Sequence, residues 1–351
     1  MNKNQFSPIF LLLNFLIGNF SLKAIDAPSL NGRTLKSLNS SSFSFYIGGH
    51  FYGDAFNKTG LPINTIYSAV DSINSINNYF LVSLGDLFLD PEKDIESYSR
   101  TFFKSIKVPI FNAAGNHDVM GGYYEKKFKE TYFSFNLGSC AFLFLDAERN
   151  DSKIVLDQLE FFKSRMSSFL EDSLIKNVFV FSHRPIWAEG NVELSQIFKF
   201  NTRSSSLNNF QSDIEPVLIK LAHTKKVVWC SGSMDVSPAS FFYHFDSISK
   251  ITYIQTAVRG TNHDGILKVE VNGNQIDFKT ISLTTQPTLS LPEYNVDFFT
   301  KGWSQKPINF NLRLVPLYLK QTFTNRFFWY GCLTAIVSLL IFYFIYNRFK
   351  K

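Results

Sequence analysis

The chain alternates short apolar runs with longer stretches in which apolar residues return every third or fourth position. Short apolar runs bounded by turn residues predict strands, and the three- and four-residue spacing predicts helices. Residues 43–47, Phe-Ser-Phe-Tyr-Ile, predict a first strand. Ile66, Val70, Ile73 and Ile76 then mark one face of a helix over 61–78. Strand 79–84, helix 92–106, strand 108–113 and a short helix at 123–131 follow. Segments 132–136 and 140–145 flank Leu137-Gly138-Ser139 and predict a hairpin. Leu156, Leu159, Phe162 and Met166 share a side of a helix over 155–169. Strand 177–182, helix 207–223 and strand 227–230 come next. Beyond 241 the chain is mostly strands, at 241–245, 251–256, 265–271 and 275–280, with Asn272-Gly273-Asn274 in the last turn. Alternating strands and helices with a strand-rich finish predict an α/β fold: two packed sheets covered by helices on both outer faces.

The two ends depart from this pattern. Residues 1–24 have the form of a secretory signal: Lys3, an apolar stretch at 9–20, and Ala24 at the cut. Leu22 fits the position two before the cut poorly, so an uncleaved anchor is the alternative. Residues 327–346 hold no charge, enough to span a bilayer core of roughly 30 Å. Trp329, Tyr330, Tyr343 and Tyr346 lie where interfacial aromatics belong. The expected organisation is therefore a signal (1–24), a folded domain (41–282), an irregular juxtamembrane segment with four prolines (283–326), a transmembrane helix (327–347) and a basic tail (348–351). A buried core helix is the alternative for the span. The positive-inside rule keeps the tail in the cytoplasm and the domain outside it.

These segments change the meaning of the charge. Of 35 basic residues, five lie in the signal and the tail, which leaves 30 against 29 acidic. A nearly neutral domain gives no electrostatic reason to expect a nucleic-acid partner. Of three cysteines, Cys332 lies in the span; Cys140 and Cys230 either pair in an oxidising compartment or are buried thiols. The 39 phenylalanines are expected in the core and the sheets.

Three short segments carry candidate chemistry. Gly85-Asp86-Leu87-Phe88-Leu89-Asp90, Gly115-Asn116-His117-Asp118 and Ser182-His183-Arg184-Pro185 each follow a predicted strand. In open α/β sheets ligands bind at the carboxyl ends of strands. Carboxylate, amide and imidazole groups gathered there suit Mn, Fe, Zn or Mg.

In these segments and their order the chain resembles the calcineurin-like metallophosphoesterase superfamily. The resemblance covers about 41–282 and implies a four-layer αββα sandwich of two mixed β-sheets. It also implies hydrolysis of a phosphomonoester or phosphodiester by a pair of divalent cations. The family's five motifs run Asp-x-His, Gly-Asp-x-x-Asp, Gly-Asn-His-Asp, a lone His, and Gly-His-x-His. By that resemblance Asp86 bridges two metals, Asn116 and His183 bind the second, and His50 binds the first. His117 acts on the leaving group as general acid or charge stabiliser, and Asp118 orients His117. Asp90 falls one residue late for its motif and is read as structural. Arg184 is a candidate phosphate contact.

Two motifs are broken. Gly48-Gly49-His50 lacks the first carboxylate, and Gly232-Ser233-Met234-Asp235 lacks both imidazoles. Asp235 stands in for one ligand of the first metal, and Ser233 poorly for one of the second. The expectation is one divalent cation or a weakly held pair. Restoring Gly48→Asp, Ser233→His and Asp235→His is expected to raise metal affinity. The functional expectation is a membrane-anchored, metal-dependent phosphoesterase with a phosphate-ester substrate. Its rival is a catalytically impaired relative that binds a glycan, lipid headgroup or protein.

Overall fold

The computed structural model describes residues 27–301 except positions 39, 55, 200, 203–206 and 235–236, together with positions 315, 319, 322, 323 and the helix Arg326–Phe349. The expected signal segment and Asp235 lie outside the described residues.

Eleven strands are present among the described residues: β1 (Ser42–Gly48), β2 (Asn78–Ser83), β3 (Ile110–Asn112), β4 (Phe133–Leu137), β5 (Cys140–Phe144), β6 (Asn177–Ser182), β7 (Lys226–Ser231), β8 (Phe241–Asp246), β9 (Ile251–Thr256), β10 (Gly265–Asn272) and β11 (Gln275–Ser282). They form one sheet in the order β11-β10-β1-β2-β3 and another in the order β4-β5-β6-β7-β9-β8. Both are mixed: β1 runs parallel to β2 and antiparallel to β10, while β5, β6, β7 and β9 run parallel between antiparallel edges. The final hairpin returns to the first sheet. Asn272 pairs with Gln275 across a two-residue loop in which Gly273 takes φ +58°.

The pleat explains the apolar runs. Phe43, Phe45 and Ile47 of β1 face the second sheet, and Tyr46 faces outward to a separate cluster with Leu81 and Ile110. Strands covered on both faces read as nearly continuous apolar segments. Between the sheets phenylalanines interlock. Phe142 of β5 lies 5.4 Å from Phe45 and 5.2 Å from Phe80 of the first sheet, both edge-on, and stacks on Phe179 at 5.4 Å. Helix Leu156–Glu171 packs Phe162, Met166 and Phe169 on the second sheet, beside Leu218 and Leu221 of helix Glu215–Ala222. Helices Pro91–Arg100 and Phe102–Ser105 cover the first sheet with Ile95, Tyr98, Phe102 and Phe103. This is the four-layer αββα sandwich expected from the resemblance.

Three local expectations change. The helix foreseen over 61–78 is only a 3-10 segment, Asn64–Ala69, and one turn, Val70–Ile73. Ile66 and Ile73 are buried, but Ile76 lies in the turn into β2 and is exposed. The helix foreseen over 92–106 breaks at Thr101, whose ψ is −85°. A helix not foreseen, Val192–Ile197, starts at Asn191, whose side chain accepts from the amides of Glu193 and Leu194. Cys140 and Cys230 are free and buried, so the thiol reading is the one observed. Burial pushes the Cys140 thiol up to about 11 and that of Cys230 higher still.

Helix Arg326–Phe349 has 24 residues, is long and apolar enough to cross a membrane, and buries none of its side chains in the protein.

Phe142 joins both sheets, so Phe142→Ala is expected to cost about 3–5 kcal/mol of folding stability, read from guanidinium unfolding monitored by tryptophan fluorescence.

Candidate metal centre

The candidate residues meet where strands of the two sheets end. Backbone bonds tie the ends together: Leu84 N donates to Gly48 O at 2.9 Å, His50 N to Gly85 O at 2.8 Å, and Gly232 N to His183 O at 2.9 Å. His183 follows β6 of the second sheet, yet its Nδ1 donates to Leu84 O beyond β2 of the first sheet, at 2.8 Å. That bond closes the sandwich at the site. It needs a close approach: Gly85 has φ +84°, and a Cβ there would lie 2.6 Å from both Ala113 O and His183 Nδ1.

Asp86 sits at the middle and is 3 % exposed. His50 Nε2 lies 3.6 Å and His183 Nε2 3.5 Å from its Oδ2, and the His117 amide donates to its Oδ1 at 3.1 Å. Burial works against ionising this carboxyl, but His183, His117 and His50 in turn, with the His117 amide, outweigh it. Asp86 is thus held below the usual carboxylate range. Both Asp86 and His50 have positive φ, 52° and 61°, a conformation that costs of order 1–3 kcal/mol and clusters at functional sites.

The remaining predicted residues divide. His183 Nε2, on the far side of the ring from the Nδ1 bonded to Leu84 O, is buried with no hydrogen-bond partner among the described residues. His50 Nδ1 donates to Gly53 O at 3.0 Å, and its Nε2 meets the Tyr52 hydroxyl at 3.0 Å. Asn116 is half-buried in the turn between Gly115 and His117. Ser233 is buried, and its hydroxyl meets Asn201 Nδ2 at 3.4 Å.

Two expected roles are replaced. His117 Nδ1 is 3.2 Å from Leu89 O, while Asp118 accepts from the amides of Leu87, Phe88 and Gly115 and from Asn112 Nδ2. Asp118 therefore shapes the loops under the site instead of bonding the His117 ring. Arg184 is 7 % exposed and fastened by a two-pronged ion pair to Glu148 and a 3.1 Å bond to Thr202 O, so its guanidinium is committed inside the protein. Asp90 precedes helix Pro91–Arg100 and pairs with Lys93 at 2.7 Å, a structural role.

The profile of the family described as calcineurin-like phosphoesterase matches residues 61–224. Over those residues the chain is similar to that family, as its motifs led us to expect. No curated protein matches the sequence. Among solved structures, purple acid phosphatase PPD1 from yellow lupin (Lupinus luteus) seeds is 12 % identical over 72 % of this chain, with a TM-score of 0.49. This chain spans 53 % of that phosphatase's length. GAP50, the anchor in the inner membrane complex of Plasmodium, is 14 % identical over 80 % of this chain and 95 % of its own, also at 0.49. Vps29 from Entamoeba histolytica is 9 % identical over 68 % of this chain and 99 % of its own, at 0.31.

Phosphoesterases of this family generally bind divalent metals, and the residues present can be tested against a pair. A Cβ at Gly48 would lie 2.8 Å from Phe51 Cε1 and 3.2 Å from Phe51 Cζ. The Phe51 ring, fully buried, fills the space in which the first carboxylate belongs. The imidazole retained for that position, His50, directs Nε2 at a tyrosine. Among the described residues no three His, Cys, Asp or Glu side chains form a metal-ligand group. A cation pair does not fit this donor set. Among the described residues, Asp86, Nε2 of His183 and Asn116, next to His117 in sequence, retain the chemistry for one cation.

Sequence reasoning passed over Phe51 and Tyr52, which follow His50 directly. It also passed over Glu148, whose partnership with Arg184 has no local signature. The loop presenting Glu148 is built on Asp146, which is fully buried and accepts from the amides of Glu148 and Arg149 at 2.8 and 3.2 Å. Burial pushes the Asp146 carboxyl up to about 6.

Two predictions follow from this geometry. Gly48→Ala is expected to destabilise the domain by about 1–3 kcal/mol through the Phe51 contact, and by less when Phe51 is first shortened to leucine. A denaturation double-mutant cycle measures the difference; equal costs in both backgrounds would refute the contact. For Asp146 the folded protein holds a proton between about pH 4 and 6 that the unfolded chain has released, so stability falls as pH rises through that window. Asp146→Asn removes this loss, and its stability relative to the parent should rise by about 2 kcal/mol from pH 4 to 6.5 in parallel urea titrations.

Proposed function

We propose that this protein is a non-hydrolytic calcineurin-like phosphoesterase, held on a membrane by its C-terminal helix and acting as a binding or scaffold module outside the cytoplasm. The observation that carries this reading is the occupation of the first-metal position by the protein's own residues, Phe51 at Gly48 and Tyr52 at His50. Hydrolysis in this family draws on two cations that share an activated water and neutralise developing phosphate charge. With the first carboxylate replaced by a phenyl ring, the described residues lack the charge to hold a pair. The buried Arg184–Glu148 ion pair supports the same reading, because it removes a cationic group from phosphate binding. The topology rests on the apolar helix, the basic tail and the signal-like segment together.

The hydrolytic reading has one observation in its favour: Asp86, His117 and His183 do converge, and Asn116 precedes His117 in the same turn. If the second-metal group suffices, Asp86, Asn116 and His183 hold the cation and His117 serves the leaving oxygen.

The full chain in detergent micelles is to be assayed against p-nitrophenyl phosphate and bis(p-nitrophenyl) phosphate with Mn, Zn or Mg. Turnover indistinguishable from that of His117→Ala is expected. Turnover that drops at least a hundredfold in His117→Ala would overturn the non-hydrolytic reading, that factor being the lower range for a general acid.

A further inference from the structure

We propose that Tyr52 is the built-in substitute for the missing first cation, and that Tyr52 with Phe51 makes the centre stable without metal. This rests on the non-hydrolytic reading and names the device behind it. A buried imidazole nitrogen left without a partner loses its solvation with no return. In a cation-loaded centre the metal is that partner for His50 Nε2; here the Tyr52 hydroxyl meets the same nitrogen at 3.0 Å. The Tyr52 ring also fills volume. Its centroid lies 4.3 Å from that of His50 and 5.0 Å from that of His117, so it wedges between the ligand imidazole and the leaving-group imidazole. Tyr52, 4 % exposed, packs with Leu89 and Met120, which extend from the loops after β2 and β3. The loops after three successive strands thus clasp one another over the centre through side chains. Phe51 completes the exchange from beneath, its ring lying where a carboxylate would otherwise need a dication to offset its charge. The Asp86 charge that remains is met by imidazoles and an amide, as described above.

The test is thermal unfolding and zinc titration of the full chain in detergent, comparing the parent, Tyr52→Phe, His50→Gln and the double variant. Tyr52→Phe keeps the ring and deletes the hydroxyl. The parent should melt at the same temperature with and without EDTA. Tyr52→Phe should melt about 2–4 °C lower. It should also bind zinc up to about tenfold more tightly than the parent, the equivalent of one hydrogen bond returned to His50. Both effects should vanish in the His50→Gln background. A parent that loses stability in EDTA refutes the substitution, as does a Tyr52→Phe effect of equal size with His50→Gln. Independently of any variant, excess zinc should leave the ring nitrogen-15 resonances of His50 in the parent unmoved; a zinc-shifted Nε2 overturns the proposal. Failure on these measures leaves the non-hydrolytic reading standing, whereas turnover that His117→Ala lowers at least a hundredfold defeats that reading whatever Tyr52 does.

Discussion

A carboxylate taken out of water must be given compensating charge or dipoles, or it takes up a proton. Asp86 is placed where that demand is greatest, at the joint end of two sheets, and the local arrangement answers it. His183 crosses from the second sheet to stand 3.5 Å away, and the His117 turn offers its amide. The same histidine that faces Asp86 pins the sheets together through Leu84 O. Electrostatic need and fold closure therefore use one side chain. This gives His183 a structural role whether or not a metal is bound.

The sandwich supplies the rigidity for this arrangement. Strand ends can hold polar groups within a few ångströms of each other only if the strands beneath do not slide. Phe142, Phe45, Phe80 and Phe179 interlock across the sheet interface, so a shift of either sheet would break several edge-on ring contacts at once. The abundance of phenylalanine thus belongs to the positioning of the centre and not to a binding face.

Much of the fold was legible in the sequence because both sheets are buried on two sides, which writes strands as apolar runs with turn residues between them. The helix expected over 61–78 failed for a definite reason: Ile76 keeps the helical spacing but falls in the turn into β2, where nothing covers it. The centre was legible as far as residues that approach each other from strand ends. What a sequence could not disclose is the use to which neighbours are put. Arg184 reads as a phosphate contact until Glu148, 36 positions earlier, is seen to hold it. Asp118 reads as a partner for His117 until its oxygens are found on the amides of Leu87, Phe88 and Gly115. In each case the deciding partner belongs to another loop, and spacing along the chain carries no record of it.

A glycine in place of a ligand carboxylate has two very different physical meanings. If the vacated volume were open, water would fill it and a restored side chain would recover a ligand at little cost. Here the volume is closed by Phe51, the next vertex by Tyr52, and the fifth motif's serine is engaged with Asn201. Putting the carboxylate back at Gly48 therefore sets it against a buried ring. The losses are coupled to replacements, and a set of coupled replacements is a second stable packing of the same pocket. On that packing the loops after β1, β2 and β3 no longer gather around an ion. They gather around a tyrosine, Tyr52, which packs with Leu89 and Met120.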